Sequence, residues 1–259
     1  MLATHLNNFA KRKVLAVQDA TSLLTGSFRS LFSPPRYPMD LVFQMDIIGF
    51  GSLPIVLLTG FFAGAVLALQ TYETLSTFGE VSLVGQVVAL SLVREMGPVM
   101  TALMVAGRNA SGMASELGSM VVSEQIDAMR ALGTDPHRKL VAPRLFATII
   151  CLPLLTILAD FMGLVGGFFV SVTIARLNPA QYWSSAYQAL EYEDVIQGLS
   201  KPFVFAVVIA LVGCYIGLTT TGGTEGVGRS TTRAVVYASV LVLVCDFFIT
   251  KLMMGILFP

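Results

Sequence analysis

Charge is what this chain has least of. Asp, Glu, Lys and Arg make up only 12% of its 259 residues, about half the roughly 25% of an average soluble domain. The formal net charge is zero, so global charge says nothing about nucleic acid; no nucleic-acid partner is expected. Cysteine is also scarce. Cys151, Cys214 and Cys245 all lie inside apolar runs, and an odd number so placed argues against a disulfide framework. They read as small hydrophobes. The two histidines, His5 and His137, lie far apart and outside the apolar runs, which leaves no zinc-protease pattern and no metal site. No G-x-x-x-x-G-K-[ST] occurs, so the chain has no P-loop to cradle nucleotide phosphates. No nucleophile elbow of the G-x-S-x-G kind occurs either, so no catalytic residue is named. Residues 1–40 lack the compact apolar stretch and small-residue cleavage site of a signal peptide, and the first span is expected to direct insertion.

What the chain has is hydrophobic residues, 55% of the total, in long blocks. The fold class is therefore all-α, a polytopic membrane protein. Two regions are expected. Residues 1–40 place Leu6, Phe9, Val14, Val17, Leu24, Phe28 and Leu31 at helical spacing among Lys11, Arg12, Lys13 and Arg29. That is an interfacial amphipathic helix, too polar to span. Residues 41–259 carry five spans: Ile47–Tyr72, Gly85–Arg108, Leu145–Ala175, Pro202–Thr221 and Ala234–Phe258. Each is long enough for a hydrocarbon core of about 30 Å. Residues 176–201 read as a polar linker with interfacial aromatics at Tyr182, Trp183, Tyr187 and Tyr192. Thr219–Arg229 reads as a glycine-rich turn, with Ser230, Thr231 or Thr232 capping the helix that follows.

Small residues mark close helix approach. Gly60 and Gly64 form a GxxxG pair. Ala102, Ala106, Ala110, Ala114 and Gly118 form one stripe on span 2, beside a second stripe of Gly107, Ser111, Ser115 and Ser119.

Orientation follows from the basic residues. One side holds Lys11, Arg12, Lys13, Arg29, Arg36, Arg130, Arg138, Lys139, Arg144, Arg229 and Arg233; the other holds Arg176 and Lys201. By the positive-inside rule the N terminus and residues 109–144 face the cytoplasm and the C terminus lies outside. Five charges fall within spans: Arg94, Glu95, Asp160, Asp246 and Lys251. Each needs a partner or a wet cavity. Successive helical residues diverge by about 100°, so Arg94 and Glu95 face different surroundings. They are expected at the mouth of an outward cavity that Leu69, Tyr72 and Leu75 line. A proton-driven secondary transporter using Asp160, Glu95 and Asp246 is the alternative, although a five-span layout shows no two-fold repeat.

Between spans 2 and 3, residues 123–132 form a short helix, with Ser123 as its expected cap. Ile126, Met129 and Leu132 share one apolar stripe; Glu124, Asp127 and Arg130 share a polar one. So short a helix needs a groove to hold it.

The runs LSLVREMGPVMTALMVAGR, EQIDAM, DPHRKLVAPR, LPLLT and GGTEGVGRSTTRAVV resemble the MlaE/YrbE family of permeases over residues 45–258. The resemblance implies a membrane subunit of an ABC transporter that moves glycerophospholipid between membranes. It implies a homodimer, an ATP-binding cassette ATPase dimer on the cytoplasmic side, a periplasmic hexamer of MCE-domain protein and, often, a STAS-domain protein. ATP and magnesium would belong to the partner ATPase, with no cofactor in this chain, which would not itself be an enzyme. The lipid pocket would lie between two subunits, lined by spans 1, 2 and 5, with Leu69, Tyr72, Leu75, Arg94 and Glu95 binding lipid. Glu124, Gln125, Ile126, Asp127, Met129 and Arg130 would couple to the ATPase. The expected location is a bacterial inner membrane, since residues 1–40 hold Asp19 and no transit pattern.

Overall fold

The first apolar run is bent. In the computed structural model, which describes residues 37–257 and, before them, 18, 21–23, 25 and 26, the run divides into α1 (Pro38–Ile48) and α2 (Leu53–Phe78). A tight turn at Phe50–Ser52 joins them. Proline at the start of each helix fits, because its fixed φ suits the first turn and no amide donor is needed there. Gly79 ends α2 with φ +76°, and Glu80 N–H returns to the Leu75 carbonyl at 3.1 Å, a left-handed close that glycine adopts without strain. The interfacial helix expected over residues 1–40 lies almost wholly outside the described residues.

Span 2 is longer than its apolar stretch. It is one helical rod, α3 (Val81–Val122), which continues well past Arg108. Two π-bulges interrupt it, Leu92–Met96 and Ala106–Ala110. Pro98 explains the first. It has no N–H, so the ladder cannot close in the usual register, and Gly97 N–H reaches back to Leu92 instead.

Next comes α4 (Gln125–Ala131). Ser123 does not cap it: its hydroxyl donates back to Ser119 at 2.8 Å, and Glu124 takes the cap position with φ +58°. The third span is α5 (His137–Thr173).

The expected polar linker 176–201 is mostly helix. Asn178 caps α6 (Pro179–Ala189), accepting from Ala180 N–H at 2.9 Å. Then α7 (Tyr192–Leu218) starts ten residues ahead of the expected span, behind a capping box of Glu191 and Asp194. Lys201, counted above as an outside charge, is inside this helix and fully buried. The glycine-rich stretch is corrected too. Gly222 and Gly223 make the turn at positive φ, and α8 (Gly223–Leu257) is already helical through Ser230, Thr231 and Thr232, so none of these caps it. Among the described residues five helices are long and apolar enough to cross a membrane, and there are no strands.

Small residues set the packing. A Cβ on Gly64 would lie 1.9 Å from the Gly163 carbonyl oxygen, and one on Gly60 2.6 Å from that of Ala159. The GxxxG pair of α2 therefore presses on the backbone of α5. The alanine stripe of α3 is buried: Ala102, Ala106, Ala110 and Ala114 meet Phe205, Ile209, Ala234, Ala238 and Val242 of α7 and α8. The second stripe is outside this contact. Gly107 faces open space, and the Ser111 hydroxyl donates to its own helix at Gly107, 2.6 Å away.

Candidate functional site

Pro98 also determines what α7 presents to α3. With no amide at 98 to receive them, the carbonyls of Val93 and Arg94 need other neighbours. Gly198 brings the α7 backbone against Val93, where a Cβ would stand 2.0 Å from the carbonyl oxygen. One turn on, Lys201 Nζ donates to the Arg94 carbonyl at 3.0 Å. The same ammonium donates to Glu95 and lies 3.1 Å from Asp246 Oδ1 of α8. Lys201 is 0% exposed, Asp246 19% and Glu95 39%. The fully buried ammonium thus has two hydrogen-bond acceptors and a second carboxylate within ion-pair distance, which keeps a buried charge from standing unpaired.

Glu95 is held from two further sides. Gln197 Nε2 donates to its Oε1 at 3.3 Å, and Thr250 Oγ1 donates to the same oxygen at 3.2 Å. Arg94 turns away to Asp194, whose other oxygen accepts Glu191 N–H in the capping box at 3.0 Å. Asp194 therefore both starts α7 and anchors Arg94. Asp194, Gln197, Gly198 and Lys201 are all buried and sit at i, i+3, i+4 and i+7. A polar stripe at helical spacing was the available sign that this segment is a helix with a buried polar face.

Two hollows flank this cluster. One, about 770 Å³ with its open mouth included, is lined by Glu95, Asp246, Thr250 and Lys251 with Phe247 and Met254. The other, about 890 Å³, is apolar and is lined by Leu58, Phe62, Val66, Gln70, Met96 and Met100 among others. Glu95 lines one and Met96 the other, so a charged hollow and a greasy one open at the same level of α3, on faces about 100° apart.

The remaining expected residues distribute unevenly. Leu69 is exposed and does not line the apolar hollow. Tyr72 and Leu75 pack inward against Ala68, Val84, Val88 and Leu92. Asp160 is held against Gly97, its Oδ1 buried with no hydrogen-bond partner among the described residues. Among the described residues it makes no direct hydrogen bond to Glu95 or Asp246.

On α4, Ile126 is 3% exposed and belongs to a core cluster with Ile48, Leu117, Leu140 and Leu145. Met129 packs against that cluster, while Leu132 is 83% exposed. The apolar stripe is thus split: its first members hold α4 to its own subunit and its last faces outward. Glu124, Gln125, Asp127 and Arg130 are exposed, with Arg130 bonded to Asp127 at 3.1 Å. Tyr182, outside the spans, is buried against Phe168 and Trp183 and donates to Leu164 at 3.1 Å. Burial pushes its phenol pKa up, so it serves as a neutral donor that ties α6 to α5.

A five-span helical protein with an ion-paired charge cluster flanked by a polar and an apolar hollow has the features of a membrane transport protein. The family model described as Permease MlaE matches residues 41–252. The chain belongs to that family, and it is a permease subunit of the ABC-transporter type. It is 45% identical over 255 residues to a probable ABC transporter permease protein of Rickettsia conorii, covering 97% of this chain and 98% of the relative. It is 39% identical over 233 residues to the intermembrane phospholipid transport system permease protein MlaE of Haemophilus influenzae, covering 88% and 89%. It is 38% identical over 208 residues to the chloroplastic protein TRIGALACTOSYLDIACYLGLYCEROL 1 of Arabidopsis thaliana, covering 80% of this chain and 59% of that one.

Proposed function

We propose that this chain is the membrane permease of a glycerophospholipid transporter, driven by ATP hydrolysis in a partner ATPase dimer. The observation that carries the reading is the pairing of hollows around Glu95 and Met96. The apolar hollow suits acyl chains. The charged one offers the Lys251 ammonium, without a hydrogen bond or ion pair among the described residues, to a phosphate. Exposed apolar residues continue on both sides, Leu58, Phe62 and Val66 on α2 and Val240, Val244, Phe247 and Phe248 on α8. That face is where a second copy would complete the pocket as a homodimer.

In this reading the chain lies in a bacterial inner membrane with the N terminus and α4 in the cytoplasm and the C terminus outside. The charge count supports it still once buried residues are removed from both sides, Lys201 from the outer and Arg144 from the inner, which leaves Arg176 alone against ten. The ATPase docks on the outward surface of α4, with Glu124, Gln125, Asp127 and Arg130 as polar contacts and Leu132 as the apolar one. Ile126 and Met129 transmit the push into the permease core. An MCE-domain hexamer receives lipid on the periplasmic side, and a STAS-domain protein attends the ATPase. ATP and magnesium stay in the partner.

The test is purification in mild detergent with identification of what accompanies the chain. An ATP-binding subunit and bound phospholipid, the latter reduced by Met96→Asp and Met100→Asp together, are the expected result. A chain that comes alone and carries no lipid refutes the reading.

A further inference from the structure

About 20 Å along α3 from Glu95, at 1.5 Å per residue, a second cleft opens between α1 and α3. It is about 470 Å³ with its open mouth included, and its wall includes Gln44, Ile47, Arg108, Asn109, Gly112 and Glu116. Three features set it apart from an ordinary groove. First, the Arg108 guanidinium has no ion pair or hydrogen bond among the described residues; only its backbone carbonyl is engaged, by the Ser111 hydroxyl. The carboxylate that shares the cleft, Glu116, is already taken by Arg144 Nη2 at 2.7 Å. Second, Asn109 is only 5% exposed, and its Nδ2 has no hydrogen-bond partner among the described residues. A buried amide donor without a partner is uncommon and unfavourable. Third, the backbone is shaped around the guanidinium. The turn between α1 and α2 brings Gly51 against it, where a Cβ would stand 2.5 Å from Arg108 Nη2. The second π-bulge, Ala106–Ala110, carries both Arg108 and Asn109.

We infer that this cleft binds a phosphate group through Arg108 and Asn109. A guanidinium matches phosphate oxygens in a two-pronged arrangement, and the Asn109 amide supplies a third donor. Ile47, Ile48 and Met113 add an apolar wall, so the phosphodiester of a phospholipid is accommodated as well as a free phosphate. Arg108 lies fourteen residues before Val122, about 21 Å from that end of α3. In the orientation proposed above, on which this placement rests, Arg108 lies on the cytoplasmic side of Glu95. The cleft is then a headgroup site on the inner side, separate from the hollows at Glu95.

The chain has one tryptophan, which permits a local probe. Trp183→Phe with Ile47→Trp puts the sole indole in the cleft of the full-length permease in mixed micelles. Phosphatidylglycerol with brominated acyl chains is expected to quench it saturably, brominated diacylglycerol is not, and inorganic phosphate is expected to relieve the quenching. Arg108→Gln should weaken binding about tenfold or more, the size of a lost charge-assisted contact. Asn109→Leu should weaken it too while leaving the thermal midpoint unchanged or higher, because it removes an unpartnered donor. Arg108→Lys, which keeps the charge and loses the fork, covers the case in which the glutamine variant does not fold. A saturable change of indole emission on adding inorganic phosphate, lost in Arg108→Gln, without saturable lipid quenching would support the anion site with free phosphate as its occupant. Equal quenching by both brominated lipids, or none of these variants weakening it, overturns the proposal. The assay needs neither ATP nor an ATPase, so a permease that quenches normally but recruits no ATP-binding subunit would count against the proposed function alone.

Discussion

Lys201→Met puts the charge cluster to a quantitative test. The substitution keeps the length of the side chain and removes its ammonium. Glu95 and Asp246 then face each other without the cation between them, and the Arg94 carbonyl loses its donor. Removing one partner of a buried ion pair destabilises by about 3–5 kcal/mol. Glu95 is 39% exposed and water relieves part of its charge, so the lower end, about 3 kcal/mol, is expected. At about 2–4 °C per kcal/mol for a chain of this size, the apparent midpoint falls by roughly 6–12 °C. A thiol-reactive fluorophore reads it in detergent, since Cys151 and Cys214 are buried until the bundle opens. The control is the triple variant Lys201→Met, Glu95→Gln, Asp246→Asn. It removes the uncompensated charges with the cation, and should recover most of the loss, because the penalty lies in the unpaired carboxylates and not in an absent bond. If Lys201→Met melts with the wild type, or the triple variant melts no higher than the single one, the reasoning is wrong.

Gly64→Ala and Gly198→Ala should each destabilise by about 1–3 kcal/mol of overpacking and lower the midpoint accordingly, because the new Cβ would meet a carbonyl oxygen at 1.9 and 2.0 Å; Gly107→Ala, facing open space, should be neutral or stabilising under the same dye. Ile126→Asp should destabilise the permease itself, since Ile126 is core, whereas Leu132→Asp with Arg130→Glu should leave the midpoint alone and abolish co-purification of an ATP-binding subunit; retention of that subunit would remove α4 from the interface. In a cysteine-free background, a cysteine at Thr134 should react with an impermeant reagent only from the cytoplasmic side and one at Gln188 only from outside, and the reverse pattern would invert the orientation. Ala106→Leu should disrupt the α3–α7–α8 core while Ser111→Leu is tolerated in the single subunit, as the midpoints will show.

Much of the architecture is readable before any coordinates. Unbroken apolar runs must be helices in a bilayer, because no water is present to satisfy a bare backbone. Their number, and the side that carries the basic residues, therefore follow from composition in order. Small residues at four-residue spacing on α2 and α3 announce close packing, and Arg94, Glu95, Asp246 and Lys251 announce themselves by being charged where charge is unfavourable. The resemblance carried by LSLVREMGPVM and its companions reaches the family directly.

Partners are another matter. The residues that satisfy Arg94 and Glu95 stand one hundred or more positions further along the chain, at Asp194 and Lys201. Both fall in EYEDVIQGLSK, polar enough to read as a linker. Local pattern reports a helix face but not what covers it. This is also why the Ile126 stripe, which fits a groove on another protein equally well, turned out to be held by its own subunit. The amino-acid order determined that five helices cross a membrane and which of them carry charge. Only their packing decided that Lys201 is inside, shared between Glu95 and Asp246, because a buried ammonium is tolerable only where separate helices bring their oxygens to it.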